Sequence, residues 1–254
     1  MTGCTKATRF QKQPLTHWAI FGPVLTSSRS AFSLYLLLAA IEVAFRAFWP
    51  EGEVVVKPLL MPALAWWLWR ASRQGEGSWG KLEKWTMAAL FMSWLGDVFL
   101  LGQTDTRFML GLASFLLAHL AYVVAFNLGP TRKTQNEKQG LAAIPWVVLP
   151  LGLFAAGLVL VLWPNLGDMR APVLVYAAVI ATMAIASFHR FRRVPARSFI
   201  LVALGACTFV LSDATIAWNK FGQAFSAAGP LIMITYLAAQ GWIVSGIVAQ
   251  RQNT

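Results

Sequence analysis

The stretch Phe91-Met92-Ser93-Trp94-Leu95-Gly96-Asp97-Val98-Phe99-Leu100-Leu101 places one aspartate inside an apolar run, and Phe209-Val210-Leu211-Ser212-Asp213-Ala214-Thr215-Ile216 does so again. Both lie in segments long enough to cross a membrane. There an ionised carboxylate costs several kcal/mol and is kept only where it is paired, wetted or chemically used. The rest of the chain agrees with that setting: of 254 residues 57% are hydrophobic and 12% charged, against roughly a quarter charged in a soluble domain. The sequence is that of an integral membrane protein. Its net charge of +11 sits in short basic clusters between apolar runs rather than on one amphipathic face, which argues for topology signals and against a nucleic-acid partner.

About 20 residues carry a helix across the hydrocarbon core. On that measure the sequence predicts an all-α bundle of eight transmembrane helices: Phe32 to Trp49, Val54 to Trp69, Trp85 to Gly102, Arg107 to Leu128, Ala142 to Trp163, Ala171 to His189, Phe199 to Trp218 and Gly229 to Gln250. Residues 1–31 form a cytoplasmic or interfacial segment, 32–250 the membrane domain and 251–254 a short tail. The start of the chain has a broken apolar stretch and no convincing cleavage site, so an uncleaved segment is expected. In the second span, Pro58 fits a first helical turn, whereas Pro62 should bend the helix or free a carbonyl beside a cavity.

Basic residues settle the orientation. Lys6, Arg9, Lys12 and Arg29 precede the first span; Arg70, Arg73, Lys81 and Lys84 follow the second; Arg132, Lys133 and Lys138 follow the fourth; Arg190, Arg192, Arg193 and Arg197 follow the sixth. The opposite connections hold only Arg107, Arg170 and Lys220. By the positive-inside rule both termini are cytoplasmic, and a bacterial inner membrane is the expected location. At about 1.5 Å per residue, Asp97 and Asp213 then lie roughly 7 to 8 Å below the outer boundary. Lys57, Tyr176 and Tyr236 share that layer, Asn219 caps the outer end of the seventh span, and His119 and Gln240 lie nearer the middle. These residues define a pocket in the outer half of the bilayer.

Matching features in the two halves fit a parallel four-plus-four duplication. Lys57-Pro58 answers Ala171-Pro172, Asp97 answers Asp213, and Phe115 with His119 answers Tyr236 with Gln240. Two acids facing each other in hydrocarbon share a proton more readily than they both ionise, which leaves a proton donor beside a carboxylate. Glu42 and Arg46 have the i, i+4 spacing of a structural ion pair, and Lys57 is the cation available to a substrate phosphate or to an aspartate. His119 serves most simply as an interhelical hydrogen-bonding group, and both it and Gln240 are candidate substrate-binding residues of the pocket. The twelve Trp are first of all interfacial anchors. Cys4 and Cys207 have no evident disulfide partners, and no zinc-site spacing or cofactor motif is present.

The ordered set Lys57-Pro58 with Pro62, Gly96-Asp97-Val98-Phe99-Leu100, Gly111 with Phe115, His119 and Tyr122, and Ser212-Asp213 followed by Asn219 resembles the YhhN-like lysoplasmalogenase family of polytopic membrane hydrolases. The resemblance covers about residues 32 to 250. It implies hydrolysis of the vinyl-ether bond of a lysophospholipid drawn from the bilayer, giving a fatty aldehyde and glycerophosphocholine or glycerophosphoethanolamine. It also implies that Asp97 and Asp213 are catalytic, with Lys57, Tyr176, Asn219 and Tyr236 as pocket members. An intramembrane aspartyl protease fits less well, because Trp94 and Ser212 interrupt the motifs expected around its acids. A proton-coupled transporter is the stronger rival, since repeats, broken helices and buried acids are also its marks.

Overall fold

The computed structural model describes residues 29–73, 79–102, 104–128 and 138–252. Among them are eight α-helices and no strands: α1 (Arg29–Phe48), α2 (Glu53–Arg73), α3 (Lys81–Leu100), α4 (Asp105–Leu128), α5 (Val148–Leu162), α6 (Arg170–Phe188), α7 (Ala196–Phe221) and α8 (Ala228–Arg251). Each matches one of the eight runs predicted from the sequence. Six helical segments, corresponding to α1, α4, α5 with its flanking single turns, α6, α7 and α8, are long and apolar enough to cross a membrane; α2 and α3, with charged residues near their ends, lie outside that set. Most of the N-terminal segment expected to lie at the interface, including Cys4, falls outside the described residues.

The helices pack as a closed circuit in which α1 meets α2, α2 meets α3, α3 meets α4, α4 meets α6, α6 meets α7, α7 meets α8 and α8 returns to α1. Helix α5 lies outside the circuit against α6, and α8 reaches inward to touch α2 and α3. The two most extensive interfaces, α3 with α4 and α7 with α8, are made close by glycine, as expected where helices in lipid associate by fitting together rather than by hydrophobic expulsion. A side chain on Gly205 would stand 2.8 Å from the Ala239 carbonyl and 2.9 Å from the Ile243 nitrogen. One on Gly96 would meet the Phe115 ring at 2.6 Å.

Helix α2 differs from the sequence reading in one respect. It begins at Glu53, so Pro58 lies inside the helix rather than in its first turn. Pro62, lacking an N–H, leaves the carbonyl four residues earlier without its helical donor. That carbonyl belongs to Pro58, and the Trp94 indole donates to it at 2.9 Å. The expected freed carbonyl is therefore used to bind α3 to α2 within one turn of Asp97. The tryptophans also divide: Trp49, Trp85, Trp163 and Trp218 are exposed as anchors would be, but Trp67 is completely buried in the core.

The glycine contacts make a stability prediction. Gly205→Ala should cost about 1–3 kcal/mol because the clash is with backbone. Gly152→Ala, with nothing within 4 Å of the added carbon, should be neutral or gain up to about 1 kcal/mol of helix propensity. Unfolding midpoints of the two variants in detergent, against wild type, check this pair.

Candidate active site

Each intramembrane acid is held by a tyrosine on a different helix. The Tyr236 hydroxyl of α8 donates to Asp97 Oδ2 of α3 at 2.8 Å, and the Tyr176 hydroxyl of α6 donates to Asp213 Oδ2 of α7. These bonds join the four residues in two pairs. Around them lie aromatic rings set edge to face: Tyr236 against Phe115 at 5.8 Å and Phe209 at 5.5 Å, and His119 against Phe209 at 4.7 Å and Tyr176 at 5.5 Å. His119 is fully buried, its Nε2 lies 3.7 Å from Asp213 Oδ2, and neither ring nitrogen has a hydrogen-bond partner. The hydrogen bonds of the two carboxylates go to different tyrosines, not to each other. A chain of contacts through Tyr236, Phe209 and His119 runs from one acid to the other.

The two acids also differ in access. Asp97 is 2% exposed. Asp213, with 9% of its side chain exposed, lines two small apolar recesses. One of about 50 Å³ lies between α4, α6 and α7 and includes Leu112, Phe115, Val173, Tyr176 and Ile216. A second of similar size opens toward α5. Sequence reasoning places both acids at one hollow, whereas in the structure the hollow belongs to Asp213, and Asp97 is sealed one aromatic layer behind it.

Three further expectations need correction. Arg46 does not pair with Glu42; its Nε lies 2.8 Å from Glu53 Oε2, because the turn Pro50–Gly52 brings the first residue of α2 back beside the last turn of α1. Glu42 is left fully buried with both carboxylate oxygens lacking a hydrogen-bond partner. Lys57 is withdrawn from a substrate phosphate, one of the two partners open to it: it is 3% exposed, and its charge is felt by Glu42 and by Asp97, the other. Asn219 is half-buried, and its Oδ1 accepts from the Phe225 backbone N–H, which orders the turn after α7 rather than the pocket.

Gln240, expected among the substrate-binding residues, is engaged by protein groups on two other helices. Its Nε2 donates to Ser93 Oγ at 3.0 Å and its Oε1 accepts from the Tyr122 hydroxyl at 2.5 Å. Tyr122 thereby joins a buried polar link. Sequence reasoning missed Tyr35, whose hydroxyl donates to the Leu237 carbonyl at 2.6 Å, next in sequence to the tyrosine that holds Asp97. Its partner is a backbone atom 202 residues away, for which no pattern in the chain gives a signal.

The sequence profile of the YhhN family matches residues 52–247. The chain is similar to a lysoplasmalogenase of Mycobacterium bovis, 29% identical over 87% of this chain and 81% of that protein. It is similar also to lysoplasmalogenase TMEM86B of Homo sapiens, 32% identical over 78% of each chain. To lysoplasmalogenase TMEM86A of Bos taurus it is 33% identical over 64% of this chain and 65% of that one. No solved structure matches it significantly.

The buried bond on Asp97 should be the one that matters for stability. Tyr236→Phe should cost about 1–3 kcal/mol, because it strips a donor from a sealed carboxylate. Asn219→Ala, whose side-chain bond is exposed, should stay within about 0.5 kcal/mol of wild type. Denaturant or thermal unfolding of the two variants in detergent measures the contrast.

Proposed function

The chain belongs to the YhhN family, and from that membership we propose that it works as a lysoplasmalogenase. In this reading it hydrolyses the vinyl-ether bond of a lysoplasmalogen to a fatty aldehyde and a glycerophospho-alcohol. The observation that carries the reading is the similarity to lysoplasmalogenases over most of the chain. The geometry supports it with an acid, Asp213, opening onto apolar recesses of a size for part of an alkenyl chain.

Vinyl ethers are cleaved by protonating the β-carbon, which moves the double-bond electrons toward oxygen and gives an oxocarbenium ion. Water adds to the cationic carbon, and the resulting hemiacetal breaks its bond to the glycerol oxygen, releasing the aldehyde and the alcohol. General acid catalysis of such a step contributes typically 10²–10⁴-fold. In our reading Asp213 meets the substrate and passes the proton. Tyr176 orients its carboxyl group, and His119 lies close enough to exchange a proton with it. Asp97, held by Tyr236, supplies the second carboxyl group through the aromatic layer, and its negative charge favours the cationic intermediate. Paired acids at a glycosidic bond divide the work in a comparable way. Lys57 compensates the buried acids Glu42 and Asp97 rather than binding the headgroup.

All eight helices are read as spans with both termini cytoplasmic, in a bacterial inner membrane, and with Asp213 opening toward the outer half. The positive-inside distribution supports this orientation, and the mycobacterial relative supports the bacterial setting. A four-plus-four repeat is part of the same proposal. Gln240 meets Ser93, four residues before Asp97, while His119 meets Phe209, four residues before Asp213. Ser212 bonds the Ile232 carbonyl, and Gly111 lies against the Gly96 carbonyl; these again join corresponding positions of the two halves.

Purified protein given a lysoplasmalogen should release fatty aldehyde. Asp213→Asn and Asp97→Asn should each lower the turnover about 100-fold or more while the unfolding midpoint shows a folded protein. Undiminished release by both variants would remove the acids from the mechanism. Passage of lipid into proteoliposomes with no aldehyde from the wild type would favour transport.

A further inference from the structure

One cavity lies away from both aspartates. It is a groove of about 570 Å³ between α1, α7 and α8, floored by Leu201, Leu237 and Gly241 and walled by Phe32, Val43 and Ile234. From Ile234 to Ser245 along α8, both of which line it, the groove extends about 16 Å at 1.5 Å per residue. That is about half of a ~30 Å hydrocarbon core, the depth of one leaflet. Its lining is apolar except at one end, where Arg197 and Ser245 stand. This end lies beside the start of α1 and the last turns of α8, the side read above as cytoplasmic.

The polar end is built for an anion. Ser245 is occupied by its own helix, donating to the Gly241 carbonyl at 2.6 Å, whereas Arg197 Nε is buried and has no hydrogen-bond partner. Arg197 is the second residue of α7, whose N-cap residue, Pro195, makes no side-chain capping bond. Ser198 turns away and donates to the Gly246 carbonyl at 2.7 Å. The first N–H groups of α7 therefore have no partner within the helix, and the positive end of its dipole adds to the guanidinium. A phosphate joined to a hydrocarbon chain complements both parts of this surface.

We propose that the groove between α1, α7 and α8 holds a phospholipid of the cytoplasmic leaflet, one acyl chain lying along it and the phosphate seated on Arg197 and the first N–H groups of α7. This site is separate from the recesses at Asp213 and does not rest on the hydrolytic reading. It approaches the reaction centre through Tyr35 and Leu237, which line the groove and are bonded to each other beside Tyr236.

The test uses the full chain in detergent with phosphatidylglycerol as the probe, and with diacylglycerol of the same chains and inorganic phosphate as controls. Native mass spectrometry should show one phosphatidylglycerol retained per chain, and the thermal midpoint should rise by several degrees with that lipid alone. Arg197→Gln should weaken retention about tenfold. Ala40→Trp, which fills the groove from an exposed position on its wall, should abolish retention while leaving the lipid-free midpoint unchanged. Should Arg197→Gln fail to fold, Arg197→Lys and Ala40→Trp decide the matter, the first retaining lipid and the second losing it. Equal retention by wild type and Ala40→Trp overturns the proposal, as does diacylglycerol or inorganic phosphate giving the same midpoint rise as the phospholipid. A change of oligomeric state in Ala40→Trp without loss of lipid would instead make the groove a contact between copies of the chain.

Discussion

A carboxylate within a membrane helix costs up to about 3 kcal/mol to insert even by the lenient measure of biological insertion, and Asp97 and Asp213 are two such groups that each meet a hydroxyl donor. The donor that meets each one determines which helices must touch. Tyr236 on Asp97 requires α8 to reach α3, although α7 and α1 are its more extensive neighbours. Tyr176 on Asp213 requires α6 to lie beside α7. The inward position of α8, which a chain-order ring of eight helices would not produce, follows from that first bond together with Gln240 on Ser93. Packing and polar satisfaction point to the same arrangement, as expected of a sequence that specifies one structure.

The prolines of α2 show the same economy. A proline inside a helix deletes one backbone bond and leaves a carbonyl that hydrocarbon cannot solvate. Here the orphan produced by Pro62 is the acceptor for Trp94, three residues before Asp97. Helix α3 is thereby fixed in rotation and in depth relative to α2, which aims Asp97 inward. A local defect in one helix thus determines the direction of a functional side chain on another.

The number of helices was legible in the sequence, and azimuth was not. Hydropathy locates each span, and a rise of 1.5 Å per residue assigns each residue a level, so Asp97, Asp213, Tyr176 and Tyr236 could be grouped before any coordinates. Rotation about each helix axis depends on partners in other helices. This is why Lys57 is buried within electrostatic reach of Glu42 and Asp97 instead of meeting a substrate phosphate, and why Asp97 proved sealed while Asp213 opened. Arg46 failed for a related reason. The i, i+4 rule considers one helix alone, whereas a turn of three residues brought Glu53 from the next helix to a competing distance. Asn219, at the correct end of α7, was drawn to the loop by an unpaired backbone N–H.

On the repeat proposed above, what distinguishes the halves carries more meaning than what they share. The backbone contacts between corresponding positions are alike, but the side chains delivered to the centre are not. Tyr236 corresponds to Phe115, Gln240 to His119, Tyr176 to Pro62, and Lys57 to Ala171. Each exchange alters the surroundings of one acid alone. Asp97 gains a cation within electrostatic reach and a tyrosine from α8. Asp213 instead gains a tyrosine from α6, a histidine at 3.7 Å, and a recess bounded by the Phe115 that replaces the second tyrosine. A symmetric frame would hold two equivalent carboxyl groups, and equivalent groups have no means of dividing donor from stabiliser. The asymmetry lies in the few residues around the acids, where the proposed reaction requires one carboxyl group to meet the alkenyl carbon and the other to remain behind it.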